Sequence, residues 1–164
     1  HGPFKARARD GHYAIALALF LGNYAEQGRQ FSVKLDTEID LKKHKNNLIV
    51  VGGPVTNLVM ARINDFLPSR FSEKKPWGIR SSRDTYTEDE IGMIARITNP
   101  YNPEYKIIAI AGIRFSGTRS AAIALTRDWK KLLDRFTGQK EWSGIVHGYD
   151  IDGDGKVDSI EILE

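Results

Sequence analysis

Two uninterrupted apolar runs, Leu48-Ile-Val-Val51 and Ile107-Ile-Ala-Ile-Ala-Gly112, each lead straight into a glycine-containing turn and then a helical pattern. Continuous β-branched runs without polar alternation suit strands covered on both faces. Two such strands feeding helices favour parallel pairing between them, so the pair points to central parallel strand–helix units. After the first run, Leu58, Val59, Ala61, Ile63 and Phe66 follow in a helix that stops before Pro68, with Pro54 expected at its first position. After the second, Ser116-Gly-Thr-Arg119 opens a helix expected to run through Phe136, with Ala121, Leu125, Trp129 and Leu132 inward and Gly138 past its end.

The remaining elements are placed around this pair. Ala14–Tyr24 is rich in Ala and Leu and apolar nearly all round. It reads as a helix capped by Asp10, closed by Gly22 and Gly28, and buried on more than one side. Phe31, Val33 and Leu35 alternate with polar residues, as in a half-buried strand. Short strands are expected near Phe71 and Trp77–Arg80, another over Ile91–Ala95, and a turn at Asn99-Pro-Tyr-Asn-Pro103. Two strands, 142–149 and 156–163, flank Asp150–Gly155. The predicted fold is α/β: a three-layer sandwich with a mixed sheet, two central parallel strand–helix units and a C-terminal β-hairpin, as a single domain over residues 1–164.

A chain of 164 residues can bury such a core without cross-links, and none is available because there is no cysteine. Disulfides, thiol nucleophiles and Cys-ligated zinc are thereby excluded. The longest apolar run, Ala14–Leu21, is eight residues, too short for a membrane span. The chain opens on His1 rather than methionine and continues with Lys5-Ala-Arg7-Ala-Arg9; residues 1–10 read as a linker or tag remnant of a fragment.

The net charge of +3 is the sum of two unlike parts. In residues 148–164, six acids face Lys156 alone, net −5, so the body carries +8. A basic body with an acidic tail marks an interaction tail or an ion site.

The tail contains Asp150-Ile-Asp152-Gly-Asp154-Gly155-Lys156-Val157-Asp158-Ser-Ile-Glu161. Its spacing satisfies the twelve-residue calcium loop: Asp at positions 1, 3, 5 and 9, Gly at 6, an aliphatic at 8 and Glu at 12. A hard cation needs six to eight oxygens, alternate carboxylates on a tight loop converge, and Lys156 offers its backbone carbonyl. The incoming segment Ile145–Tyr149 is not helical, so the loop sits in a hairpin, where Glu161 can fall too far away to coordinate. A Gly-rich hairpin turn with a solvated acidic face is the other reading of the same residues.

Two further constellations lie at the strand–helix turns. Gly52, Gly53, Thr56 and Asn57 are either a small-anion cradle at a helix start or a tight turn with Thr56 or Asn57 tying down the helix. Arg114, Ser116, Gly117, Thr118 and Arg119 add two guanidiniums, with Ser116 as helix cap the alternative. If the two strands are neighbours, these loops converge on one crevice. No Gly-x-Ser-x-Gly elbow, Walker loop or His-Glu-x-x-His spacing occurs, so no catalytic residues are assigned.

Three segments, Asn47–Asn57, Ile107–Ala122 and Gly148–Ile162, in this order resemble the archaeal S-layer protein C-terminal domain family, over residues 46–164. The resemblance implies an archaeal, non-catalytic domain and carries over no catalytic residues. The expected function is an interaction or ligand-sensing domain, as the C-terminal part of a transcriptional regulator that meets nucleic acid only through an upstream domain. The alternative is a structural surface-layer domain stabilised by divalent cations such as calcium; a third class is an enzyme on phosphorylated or nucleotide substrates. A protein partner or self-association is implied in the first two. The basic body and the lack of a signal pattern favour a cytoplasmic location over the cell surface.

Overall fold

The computed structural model describes residues 8–26 and 31–164. The expectations for residues 1–7 and for Gly28 lie outside the described residues. In chain order the elements are α1 (Ala8–Gly22), β1 (Leu48–Val51), α2 (Leu58–Ile63), β2 (Arg70–Phe71), β3 (Ile79–Arg80), β4 (Thr85–Tyr86), β5 (Ile91–Thr98), β6 (Lys106–Gly112), α3 (Phe115–Thr126), α4 (Trp129–Leu133), β7 (Trp142–Tyr149) and β8 (Ser159–Ile162).

Five strands form a mixed sheet in the order β1-β6-β5-β7-β8. β1 and β6 are parallel neighbours, Val50 opposite Ala109, as their shared pattern predicts. β5 pairs antiparallel with both β6 and β7, and β7 with β8. β5 is the middle strand, and Ile91 through Ala95 are all buried. Ile94 breaks the alternation there because both faces are covered: Ile94 packs with Leu17, Ile110 and Val146, while Met93 and Ala95 join Met60, Phe71 and Ile79. β2, β3 and β4 make a small antiparallel sheet whose Phe71 and Ile79 are buried in the latter cluster.

Five expectations are corrected. β1 is an edge strand rather than a central one; Ile49 is 41% exposed and Val50 is its fully covered residue. A run of four apolar residues cannot distinguish an edge strand packed on one face from a central strand. Phe31, Val33 and Leu35 form no strand and are exposed, Val33 at 93%. Alternation supplies an apolar face, but a strand also needs a pairing edge, and this segment has none among the described residues. α1 starts before Asp10 and, among its described side chains, buries only Leu17, leaving Ile15 and Leu19 at 60% and 72% exposure. It packs by one stripe against α3 and β1, and an apolar composition says nothing about how many neighbours arrive. The helix expected to reach Phe136 breaks at Arg127-Asp128 into α3 and α4. The Thr126 hydroxyl donates back to Ala122 O, and Asp128, a residue type common at helix starts, opens the new turn. Neither Pro54 nor Ser116 begins a helix: Asn57 is the N-cap of α2 and Arg114 that of α3.

The packing of α3 on the sheet depends on close backbone approach. A Cβ on Gly117 would stand 2.0 Å from Ile91 O, and one on Gly112 would stand 2.1 Å from the Gly117 carbonyl carbon. Among the described residues no helix is long and apolar enough to cross a membrane.

Candidate metal centre

The β7–β8 connection turns through Asp150–Asp158, with Gly153 and Gly155 at φ of +77° and +80°, the left-handed region that glycine adopts without a Cβ clash. Its carboxylates are oriented by the loop's own amides. Asp150 accepts from Gly153 N–H at 2.8 Å and from Gly155 N–H at 2.7 Å. Asp158 accepts from the N–H groups of Ile151 and Asp152 at 3.2 and 3.3 Å. Asp152 accepts from Asp154 N–H at 3.1 Å.

As a result Asp150, Asp152 and Asp158 each present an oxygen, all within 4.8 Å of one another. Two oxygens on one calcium ion, each 2.3–2.6 Å from it, stand at most about 5 Å apart. Three hard oxygen donors at this separation fit such an ion.

Two of the other expected ligands, Asp154 and Glu161, are engaged elsewhere. Asp154 pairs with Lys156 Nζ at 2.7 Å, which holds its carboxyl below the usual range and raises the ammonium's pKa. Glu161 sits on β8 opposite His147 and accepts from the Tyr149 hydroxyl at 2.8 Å. That hydrogen bond is the leading cause of the raised phenol pKa of Tyr149. In a hairpin the twelfth loop position belongs to the returning strand, so it cannot swing back over the cluster.

The loop is tied to α3. Val157 is buried at 4% exposure, with its methyls against the space beside Gly148 and Ser120. Burying a valine side chain contributes about 1.5–3 kcal/mol. Arg119 Nε donates to Val157 O, Arg127 donates to Asp158 O at 3.3 Å, and Ser120 Oγ donates to Glu90 O at 2.7 Å.

The first strand–helix loop lies against the end of β6: a Cβ on Gly53 would stand 3.4 Å from Gly112 O. The polar groups of the two strand–helix loops, however, are engaged by the protein itself. Asp10 Oδ2 of α1 lies 3.1 Å from where a Gly52 Cβ would be, a negative charge beside this loop. The Thr56 hydroxyl donates to Gly53 O, and Asn57 joins Val51 O to Met60 N–H. Across the crevice, Gly117 N–H and the Ser116 hydroxyl both donate to Asp89 O, and Arg114 pairs with the Asp89 carboxylate at 3.4 Å. Thr118 bonds Arg114 O, and Arg119 points to Val157. Two surface cavities, of about 540 and 290 Å³, open elsewhere.

Asp89 and Glu90 are structural hubs that no motif announces; the signal available was their position immediately before the middle strand. Asn99, buried at 1%, donates to Leu41 O, and Asn102 donates to His44 O; together they fix the 41–44 turn.

A family model described as "S-layer like family, outer domain" matches residues 23–128. The match takes in both strand–helix loops and begins upstream of the expected residue 46, and it ends before the acidic hairpin. No curated protein and no solved structure matches the chain.

Proposed function

The chain belongs to the S-layer like family, outer domain, and from that membership we propose a non-catalytic interaction domain whose acidic hairpin is locked by a divalent cation of the calcium class. The observation that carries the cation is the convergence of Asp150, Asp152 and Asp158 within 4.8 Å. Asp150 and Asp152 are exposed and Asp158 half-buried, so an ion would keep water in the rest of its shell. With three carboxylates rather than five or six protein ligands, the affinity belongs to the weak range of extracellular modules, a Kd of about 0.1–1 mM.

The interaction role is favoured over ligand sensing by the state of the crevice. Asn57 donates to Val51 O, Ser116 to Asp89 O and Arg119 Nε to Val157 O, and Arg114 pairs with Asp89, so side chains that would hold a small anion are spent on the fold. The same engagement weighs against an enzyme acting on phosphorylated substrates.

Calorimetric titration with calcium tests the reading. Wild type should release or absorb heat with one site per chain, and Asp152→Ala should abolish the signal. A flat titration of wild type up to several times the expected Kd, about 5 mM, refutes the cation site.

A further inference from the structure

Several arginines serve the fold: Arg96 donates to Gln139 O and Lys140 O, Arg114 pairs with Asp89, Arg119 donates to Val157 O and Arg127 to Asp158 O. Arg83 and Arg135 do not. Among the described residues no hydrogen bond or ion pair holds either guanidinium. Both side chains are exposed, and both line the cavity of about 290 Å³ at the start of β7. Arg83 comes from the turn between β3 and β4, and Arg135 from the segment after α4. Two guanidiniums on one cavity repel each other, and an anion between them would turn that repulsion into attraction.

A third donor faces the same space. Ser69 is 3% exposed, its hydroxyl lies 2.8 Å from that of Ser143, and both residues line the cavity. Two hydroxyls carry two protons, and the bond between them uses one. Among the described residues no acceptor takes the other, so one O–H donor is left for the occupant of the cavity. Trp142, half-buried, gives an apolar wall. Glu164, the acid in this lining, is already bonded: its Oε1 accepts from the Tyr86 hydroxyl at 2.6 Å and the Ser81 hydroxyl at 2.7 Å. The Ser81 oxygen also accepts from the N–H groups of Arg83 and Asp84 at 3.0 and 3.1 Å, which fixes the turn that carries Arg83. Asp84 and Asp134, the sequence neighbours of the two arginines, do not line the cavity.

We propose that this cavity binds a compact oxyanion of the phosphate or sulfate class, with Arg83 and Arg135 as its charged clamp. Guanidiniums match such groups in charge and in hydrogen-bond geometry. The donors come from separate segments, and a tetrahedral ion offers an acceptor oxygen to each, which a planar carboxylate does not. The volume lies at the lower edge of the range for ligand sites, about 300–1,000 Å³, and suits one such group, free or as an ester on a larger molecule. A bound ion would join the β3–β4 turn to the segment after α4. The cavity includes no residue of the strand–helix crevice or of the acidic hairpin, so the inference goes beyond the interaction reading and stands without it.

Calorimetric titration of the whole chain with sodium phosphate, sodium sulfate and methyl phosphate tests it, at constant ionic strength and in chelator so that the calcium-class site takes no part. Phosphate or sulfate should bind at one site per chain. Arg83→Gln and Arg135→Gln should each weaken binding about tenfold or more, the loss of a hydrogen bond to a charged group, with an unchanged melting temperature. Arg62→Gln, an exposed arginine outside the cavity, should bind as wild type does. Binding of methyl phosphate as well shows that the site admits an ester-borne group, and binding of the inorganic ions alone assigns it to the free ion. A wild type with no saturable heat up to about 20 mM phosphate and sulfate overturns the proposal. So does binding that neither cavity variant weakens, or binding that Arg62→Gln weakens equally, which would mean diffuse attraction to the basic body. Acetate binding as tightly as phosphate would also refute it. Should one cavity variant fail to fold, the other still decides it.

Discussion

Replacing Asp158 by Asn should reverse its effect on stability according to whether calcium is present. In chelator, the oxygens of Asp150, Asp152 and Asp158 lie within 4.8 Å of one another, a repulsion of about 0.9 kcal/mol per pair in water and less in salt. Asp158→Asn removes two of the three pairs, and its amide oxygen can still accept from the Ile151 and Asp152 amides. The variant should therefore melt at or above wild type, by up to about 1 kcal/mol after screening. With calcium at ten times a Kd of about 0.5 mM, wild type gains about 1.4 kcal/mol by mass action. For a chain of this size that is a rise in Tm of about 3–6 °C, which the variant should not show. Differential scanning calorimetry in chelator and in calcium reads both signs. A variant destabilised equally in both conditions would mean that Asp158 only closes a turn, and equal calcium shifts in both proteins would place the ion elsewhere.

Three further outcomes are expected. Gly117→Ala should lower stability by about 3 kcal/mol or more, since its Cβ would be 2.0 Å from Ile91 O, whereas Gly11→Ala, with open space in α1, should raise it by about 0.5–1 kcal/mol; paired melts check both. Val157→Ala should cost about 2 kcal/mol and weaken calcium binding several-fold, measured by melting and calorimetry, because the buried Val157 anchors the neighbouring ligand Asp158. Burial, then the hydrogen bond to Glu164, pushes the Tyr86 phenol up to about 12. Folding favours its neutral form, so that stability is complete below pH 10 and is lost as pH rises toward 12. Absorbance titration should show a late tyrosine component that is reduced in Tyr86→Phe, with the part due to Tyr149 remaining, and a titration identical in the variant would contradict the assignment.

The parallel β1–β6 pair and the β7–β8 hairpin were legible because their information is local: a run of β-branched residues, a glycine turn, a change of period. The calcium-type loop was legible in part. Asp150, Asp152 and Asp158 converge as their spacing implies, yet position 12 did not transfer, because Glu161 left a hairpin rather than entering a helix. Arg114 and Arg119 were read as ligand groups from their place after a strand. Asp89 and Val157, 25 and 38 residues away in sequence, take those side chains instead. The exposed segment around Val33 shows the converse, a strand pattern with no edge to join.

The sequence by itself determined the elements that depend on near neighbours, the absence of thiol chemistry, and a basic body with a net-acidic tail. The tertiary structure alone decided which strand lies at the edge, which three of the five candidate carboxylates meet, and that Arg70 and Arg80 face each other outward with no acid beside them among the described residues. Those facts depend on strand order and register. Pairing brings together residues far apart in the chain, and no local period encodes the partner.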